Sequence, residues 1–274
     1  MSKILHAVII SSVITFTVLA AYALCVGGLG YELPPIEPRT LAKIYLSTTF
    51  NPSLRILSAM APEAVTAIVW DYRGLDTVFE TTVLYLAIIA SIAIMRGIEH
   101  HEPYDEKKGM SIIGKTATKI IVPFIIGVAG AIALHGHLTP GGGFQGGATA
   151  AVAPLLVLVI FSVYFLEGIG LTKNRALVLR SAGLLGLGIT SFIVFIIALI
   201  KGFNAFILQN QPKPYSPIGL PYAFNGNIIG GTLLLFNISE MLAVAAGFTI
   251  LFILLAIPEE KVKKVISSQG ESHG

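Results

Sequence analysis

Charge is what this sequence has least of. Asp, Glu, Lys and Arg make up 12% of its 274 residues, about half the share usual in soluble domains. Hydrophobic residues fill the deficit at 54%, with a mean hydropathy of +0.81. Several apolar runs reach the ~20 residues that cross a bilayer's hydrocarbon, so a water-soluble globular fold is excluded. Cysteine is nearly absent. Cys25 stands alone, which rules out an intramolecular disulfide and any multi-cysteine cluster or zinc site. Lying in an apolar run, Cys25 is expected to be a buried, inert thiol. The net charge of +3 is small, and the basic residues are scattered at segment ends. No face is organised for nucleic acid. No nucleophile sits beside a base and no metal-ligand cluster stands out, so enzyme chemistry within this chain is not expected.

What is present is an all-α, multi-pass membrane pattern with about six crossings. The first runs from Ile4 to about Gly28. It is too long for the apolar core of a signal peptide and is expected to be retained. A long polar loop, 30–76, follows. Within it Glu63 to Tyr72 is expected to form a short helix along the membrane face, too short to span. The second crossing is Val78 to about Gly97, and the third Thr116 to about Leu134. The fourth is Ala148 to Leu166, the fifth Leu177 to Ile200, and the sixth Ile228 to Ile257. The loop from His100 to Gly109 divides a two-helix part, 1–100, from a four-helix part, 110–258. A polar tail, 259–274, is expected to be mobile. His100 and His101 sit in a hydrated loop and are expected to be inert.

Six crossings put both ends on one side, and the positive-inside rule chooses which. Lys3, Arg96, Lys107, Lys108, Lys115, Lys119, Lys173, Arg175, Arg180, Lys261, Lys263 and Lys264 fall on one side, twelve in all. Arg39, Lys43, Arg55, Arg73, Lys201 and Lys213 fall on the other, six in all. The termini are therefore expected to be cytoplasmic. The long first loop and the turn between crossings three and four then face outward, or lie in the outer half of the membrane.

That turn is the most unusual stretch of the chain. From His135 to Gly147 it reads HGHLTPGGGFQGG, with five glycines and a proline between Pro140 and Gly147. Proline lacks a backbone donor, and glycine permits left-handed or closely packed backbone. Non-helical backbone at membrane depth survives only if protein covers it or it lines a wet cavity. The expectation is a packing surface in a larger assembly. Gly141, Gly143 and Gly146 match G-x-G-x-x-G literally. A helix, not a strand, precedes them, so nucleotide binding is rejected. Gly143 and Gly147 have the spacing that lets helices approach closely. Packing is the favoured role for Pro140, Gly141, Gly142, Gly143, Phe144, Gly146 and Gly147, with ion passage the sharper alternative.

The titratable residues at membrane depth carry two readings each. His135 and His137 are two apart and do not share a helix face, so a joint metal site is not expected. Each is either a structural histidine or a proton relay. Asp71, Arg73, Asp76 and Glu80 gather at a membrane edge. Thr77 to Glu80 reads as a capping box, and Arg73 is placed to neutralise Asp71 or Asp76. A cation or proton pathway is the other reading. Asp76 and Glu80 share one face if the helix already includes Asp76. Glu240 falls near the middle of the sixth crossing, with Asn237 three residues earlier on the same face. A carboxylate there needs a partner or water. It either handles a proton or cation, or hydrogen-bonds a neighbouring subunit.

Two stretches resemble a known family. Gly136, His137, Pro140, Gly141, Gly142, Gly143, Phe144, Gly146 and Gly147 match the G-H-x-x-P-G-G-G-F-x-G-G signature of the B subunit of Mrp-type multisubunit Na⁺/H⁺ antiporters. Asp71, Tyr72, Arg73, Gly74, Asp76, Thr77 and Glu80 resemble the D-[FY]-R-G-x-D-T-x-x-E pattern at the C-terminal end of the A subunit. Phe79 stands where that family usually has a glycine. The resemblance implies an A-subunit tail joined to a B subunit, without the large antiporter-like A body. Such detached tails are similar to subunits of archaeal membrane-bound respiratory complexes. The implied role is exchange of Na⁺ for H⁺ in company with other Mrp-like membrane subunits, driven by a hydrogenase or sulfur-reductase arm. A free-standing antiporter and a purely structural scaffold are the alternatives. No cofactor is implied in this chain; iron–sulfur clusters would belong to partner subunits. The ion-path candidates are Asp71, Arg73, Asp76, Glu80, His135, His137 and Glu240.

Overall fold

The computed structural model describes residues 3–27, 37–96, 109–258, 260 and 262–263. The loop carrying His100, His101, Asp105, Glu106, Lys107 and Lys108, and the tail beyond residue 263, lie outside the described residues. The elements are α1 (Lys3–Cys25), α2 (Thr40–Thr49), α3 (Ala64–Thr66), α4 (Gly74–Ile94), α5 (Ile112–Leu134), α6 (Gly143–Ile160), α7 (Val163–Gly168), α8 (Lys173–Ile200) and α9 (Thr232–Leu255). A wide π-helical turn, Ala67–Tyr72, continues α3, and β1 (Ala223–Phe224) pairs antiparallel with β2 (Asn227–Ile228). Six helices are long and apolar enough to cross a membrane: α1, α4, α5, α6, α8 and α9.

The chain divides into two compact units at Lys43 and Ile44. In the first, α1 buries none of its most apolar stretch. Cys25 is exposed there, contrary to the expected burial. An apolar run of this kind is satisfied by lipid as well as by protein, so hydropathy alone does not bury a thiol in the fold.

The second unit is organised around α9, the most buried of the six spans. Apart from Asn237, Ser239, Glu240 and its threonines its residues are apolar all round, as suits a helix surrounded by others. It packs against α6 on one flank and α8 on the other, with α4 alongside. Small residues make the approach possible. A Cβ on Gly183 of α8 would fall 2.5 Å from the Ala243 amide nitrogen. A Cβ on Gly147 of α6 would fall 2.7 Å from Val244 Cβ.

Several boundaries differ from the sequence reading. α6 begins at Gly143, so Gly143, Phe144, Gly146 and Gly147 are helical and the turn proper is only His135–Gly142. It stops at Ile160, not Leu166, because Ser162 adopts φ 153° and breaks the run. The Ser162 hydroxyl then accepts the Phe165 amide to start α7. α8 begins at Lys173, capped by Thr172, so Lys173 and Arg175 lie on its first turn. α4 begins at Gly74, not Val78. Thr77 is therefore inside the helix and not its cap: its hydroxyl donates to Val69 O at 2.6 Å. The expected Thr77–Glu80 capping box does not form, because the preceding π-turn delivers the chain directly into the helix at Gly74.

The Glu63–Tyr72 stretch forms the short helix α3 and the π-turn, and one side of it packs inward. Ala67 and Trp70 are buried, and Trp70 stacks on Phe236 of α9 with centroids 4.3 Å apart. Its inward pull comes from the glycine turn. Thr66 Oγ1 donates to Gly136 O at 2.6 Å, and the Glu63 amide donates to His137 O at 3.1 Å. The loop before α9 is also folded. Asn210 is fully buried, donating to Ala59 O and accepting the Thr232 amide.

Candidate functional site

The glycine turn, α9 and the start of α4 enclose a cavity of about 200 Å³, room for several waters. Its polar lining comes from Thr66 of α3, Thr77 and Glu80 of α4, Gln145 of α6, and Asn237 and Glu240 of α9; Gly141, Gly142 and Gly143 supply backbone. Three sequence features thus meet here: Glu80, Glu240 and the glycine turn.

Glu240 is 6% exposed. Its Oε2 accepts the Phe144 amide at 3.0 Å. That amide is one of the unpaired donors at the α6 N-terminus, where an anion is favoured. Gly143 makes the contact possible: a Cβ there would lie 2.5 Å from Asn237 O and 2.6 Å from Glu240 Cβ. Gly142, at φ 142°, takes a conformation that L side chains rarely adopt. Asn237 lies against Gly136, with its amide nitrogen 2.7 Å from where a Cβ would be. Both polar atoms of the Asn237 side chain are buried without a hydrogen-bond partner. Buried amides are normally satisfied, so this one leaves an unmet carbonyl and an unmet amide beside the cavity. Glu80 is exposed at the cavity's mouth.

The other candidates are placed apart. Arg73 pairs with Asp76 at 2.5 Å, an exposed ion pair on the first turn of α4. Asp71 does not take Arg73. Its side chain is 1% exposed and its Oδ2 accepts from Lys213 Nζ at 2.8 Å, tying the π-turn to the loop between α8 and α9. Burial pushes the Asp71 carboxyl above its ordinary range, against the pull of the Lys213 ammonium. His135 is exposed, with Nδ1 3.1 Å from Ala131 O. His137 is buried; its Nε2 lies 3.1 Å from Ile228 O, so Nε2 carries the proton. Burial holds His137 below its ordinary 6.5, with His135 adding to the effect and the Ile228 carbonyl opposing it. Among the described residues no three His, Cys, Asp or Glu side chains gather as a metal site.

Sequence reasoning passed over Glu63, Lys213 and the unpaired state of Asn237. Glu63 caps α3, accepting the Val65 amide at 3.0 Å and the Thr66 amide at 2.5 Å. An acid directly before a short helical run was the available signal. Nothing local could have paired Lys213 with Asp71.

Six membrane-length helices define an all-α, multi-pass membrane protein. Residues 113–250 match the model of the domain related to the MnhB subunit of Na⁺/H⁺ antiporter. The chain belongs to that family and is a membrane subunit of the antiporter type. It is 26% identical over 253 residues to an uncharacterised protein of Methanocaldococcus jannaschii, covering 84% of this chain and 90% of the relative. Among solved structures it is similar to a chain of an archaeal respiratory membrane complex, the membrane-bound sulfane sulfur reductase. The TM-score is 0.57 and the identity 26%, covering 90% of this chain and 97% of that one. It also shares the fold of a chain in the Mrp complex from Dietzia sp. DQ12-45-1b, with TM-score 0.53 and 17% identity. That match covers 94% of this chain but 26% of the longer one.

Proposed function

We propose that this chain serves a Na⁺/H⁺ exchange module inside a redox-driven respiratory complex, and that the Glu80–Glu240 cavity is where this subunit holds the exchanging ion. The observation that carries the reading is the cavity's chemistry. A buried carboxylate, an unpaired carboxamide and backbone amides converge where only a proton, a cation or water can satisfy them. Glu240 holds either a proton or, through its oxygens with Asn237 Oδ1 and water, a Na⁺. Glu80 at the mouth draws the cation in. The likeness to a chain of the sulfane sulfur reductase complex supports a place in such a complex. In this reading residues 1–100 act as the A-tail-like part and 110–258 as the B-like part. Redox chemistry and iron–sulfur clusters belong to partner subunits.

The test is Na⁺-dependent pH change in sealed vesicles carrying the native complex. Glu240→Gln keeps an acceptor for the Phe144 amide and is expected to abolish exchange with the complex intact. Glu80→Gln is expected to weaken it. Unchanged exchange in both would remove the cavity from the path.

A scaffold reading has its own supporting observation, the tight seam of Gly143 and Gly147 against α9. It expects Glu240→Gln to be silent and replacement of Gly142 by Leu to break up the complex.

A further inference from the structure

The exchange site leaves one buried charge unused. Arg180 of α8 is 2% exposed. Its guanidinium lies 4.5 Å from the Tyr85 ring centroid. Its Nε and Nη1 make no hydrogen bond. No ion pair joins it to an acid among the described residues. A guanidinium does not lose its proton in a protein, so this is a permanent positive charge within a membrane span. Such a charge is costly to hold and is kept for function by default.

Its position gives the function. A Cβ on Gly247 of α9 would lie 3.8 Å from Arg180 Cδ. Gly247 is two turns beyond Glu240, about 10 Å along the helix axis. On α4 the same interval carries Thr77, Thr81 and Tyr85, four residues apart and so on one face. Thr77 lines the Glu80–Glu240 cavity. Thr81 and Tyr85 line, with Arg180, Leu84, Ile88 and Leu184, a second cavity of only about 10 Å³ whose exposed surface is apolar, a poor place for water or a hydrated ion. The Thr81 hydroxyl donates to Thr77 O at 2.8 Å. Beside Arg180, Ile88, Ile250 and Leu254 close into an apolar cluster.

We infer that Arg180 is the fixed cation that, with the apolar packing around it, bars the inner side of the Glu80–Glu240 cavity. Na⁺ entering the Glu80–Glu240 cavity then leaves through its mouth, or passes to a partner subunit against α4, and does not cross the bilayer through this chain. A metal cation moving past Thr77 meets a like charge in a poorly screened interior, where Coulomb repulsion is strong. Positive charge placed at a constriction is a general means of excluding cations. The apolar cluster behind it denies the ion a hydration shell. Glu80, exposed at the mouth, marks the side left open. This inference rests on the cavity being an ion site, and it adds that the cavity is a half-channel.

The test is passive ²²Na⁺ entry into proteoliposomes holding the purified complex, with no redox substrate. Removing the charge in Arg180→Gln is expected to raise passive entry roughly tenfold or more, the factor of one unit charge near 10 Å at an effective dielectric constant of about 20. Arg180→Lys is expected to stay as tight as the wild type. Wild-type tightness in an assembled Arg180→Gln complex overturns the inference, as does an equal leak in both variants. If Arg180→Gln does not assemble, Arg180→Met, which keeps an unbranched stem without the charge, decides: raised entry is expected, and wild-type tightness overturns the inference. The two readings fail separately. A leak in Arg180→Gln with normal exchange in Glu240→Gln removes the exchange role and keeps the seal; the converse removes only the seal.

Discussion

The Gly143→Ala substitution probes the contact on which the site is built. The added methyl would sit 2.5 Å from Asn237 O and 2.6 Å from Glu240 Cβ, about an ångström inside ordinary contact distance. One side of the clash is helix backbone and the other is the root of the Glu240 side chain, so neither yields by rotating a flexible end. Overpacking of this kind costs about 1–3 kcal/mol, which is roughly a 5- to 150-fold loss in the folded-to-unfolded ratio. The helix itself would gain, since alanine is favoured over glycine by about 1 kcal/mol, so the net expected loss is about 0–2 kcal/mol. Gly127→Ala on α5 is the control. Nothing lies within 4 Å of its added Cβ, so the propensity gain stands alone there. The measurement is reversible unfolding of the purified subunit in mixed micelles, comparing the two variants. Gly143→Ala is expected to be less stable than Gly127→Ala by about 1–3 kcal/mol, and to lose exchange activity as the Phe144–Glu240 hydrogen bond is pushed apart. Equal stability of the two variants would refute the claim that α6 and α9 meet through the missing side chain.

Other expectations follow from the same structure. Asp71→Asn leaves the Lys213 ammonium without its anion. The cost falls at or below the lower end of the ~3–5 kcal/mol for breaking a buried pair, since 22% of the Lys213 side chain is exposed. Asp71→Asn combined with Lys213→Met should recover much of that loss in the same unfolding assay. His137 titrates below its ordinary 6.5 in the fold, so the unfolded chain binds more protons just below that pH. Stability is therefore expected to fall as pH drops through and below 6.5, and His137→Gln, which retains a donor for Ile228 O, should flatten that slope. Trp70→Ala, removing the ring stacked on Phe236, is expected to cost about 3–5 kcal/mol, read in the same micelles.

The architecture was legible because hydrocarbon leaves few choices. Long uncharged runs had to be spanning helices, and HGHLTPGGGFQGG had to be a sheltered turn. Boundaries were less legible. Gly143, Phe144, Gly146 and Gly147 read as turn by composition, yet they are helical because α9 needs bare backbone to pack against. Thr77 looked like a cap, but tertiary contact with Val69 overrode the local pattern. Glu240 and Asn237 were visible as costly polar groups in an apolar run. Their meeting with Glu80 was not, since no local rule joins α4 to α9. The Asp71–Lys213 pair spans 142 positions, and proximity in sequence pointed Arg73 at Asp71 instead. Arg180 was counted only as one more basic residue near a segment end. Its burial depends on α4, α8 and α9 converging.

The central claim is that Glu240 exchanges a proton for Na⁺ inside the cavity. A hydrophobic carbodiimide modifies protonated carboxyls within membranes, and mass spectrometry of the purified native complex can follow the adduct at Glu240. Labelling at low Na⁺ that is suppressed by added Na⁺, and not by the same concentration of a bulky organic cation, is the expected result. Labelling of Glu240 that ignores Na⁺ altogether would contradict it.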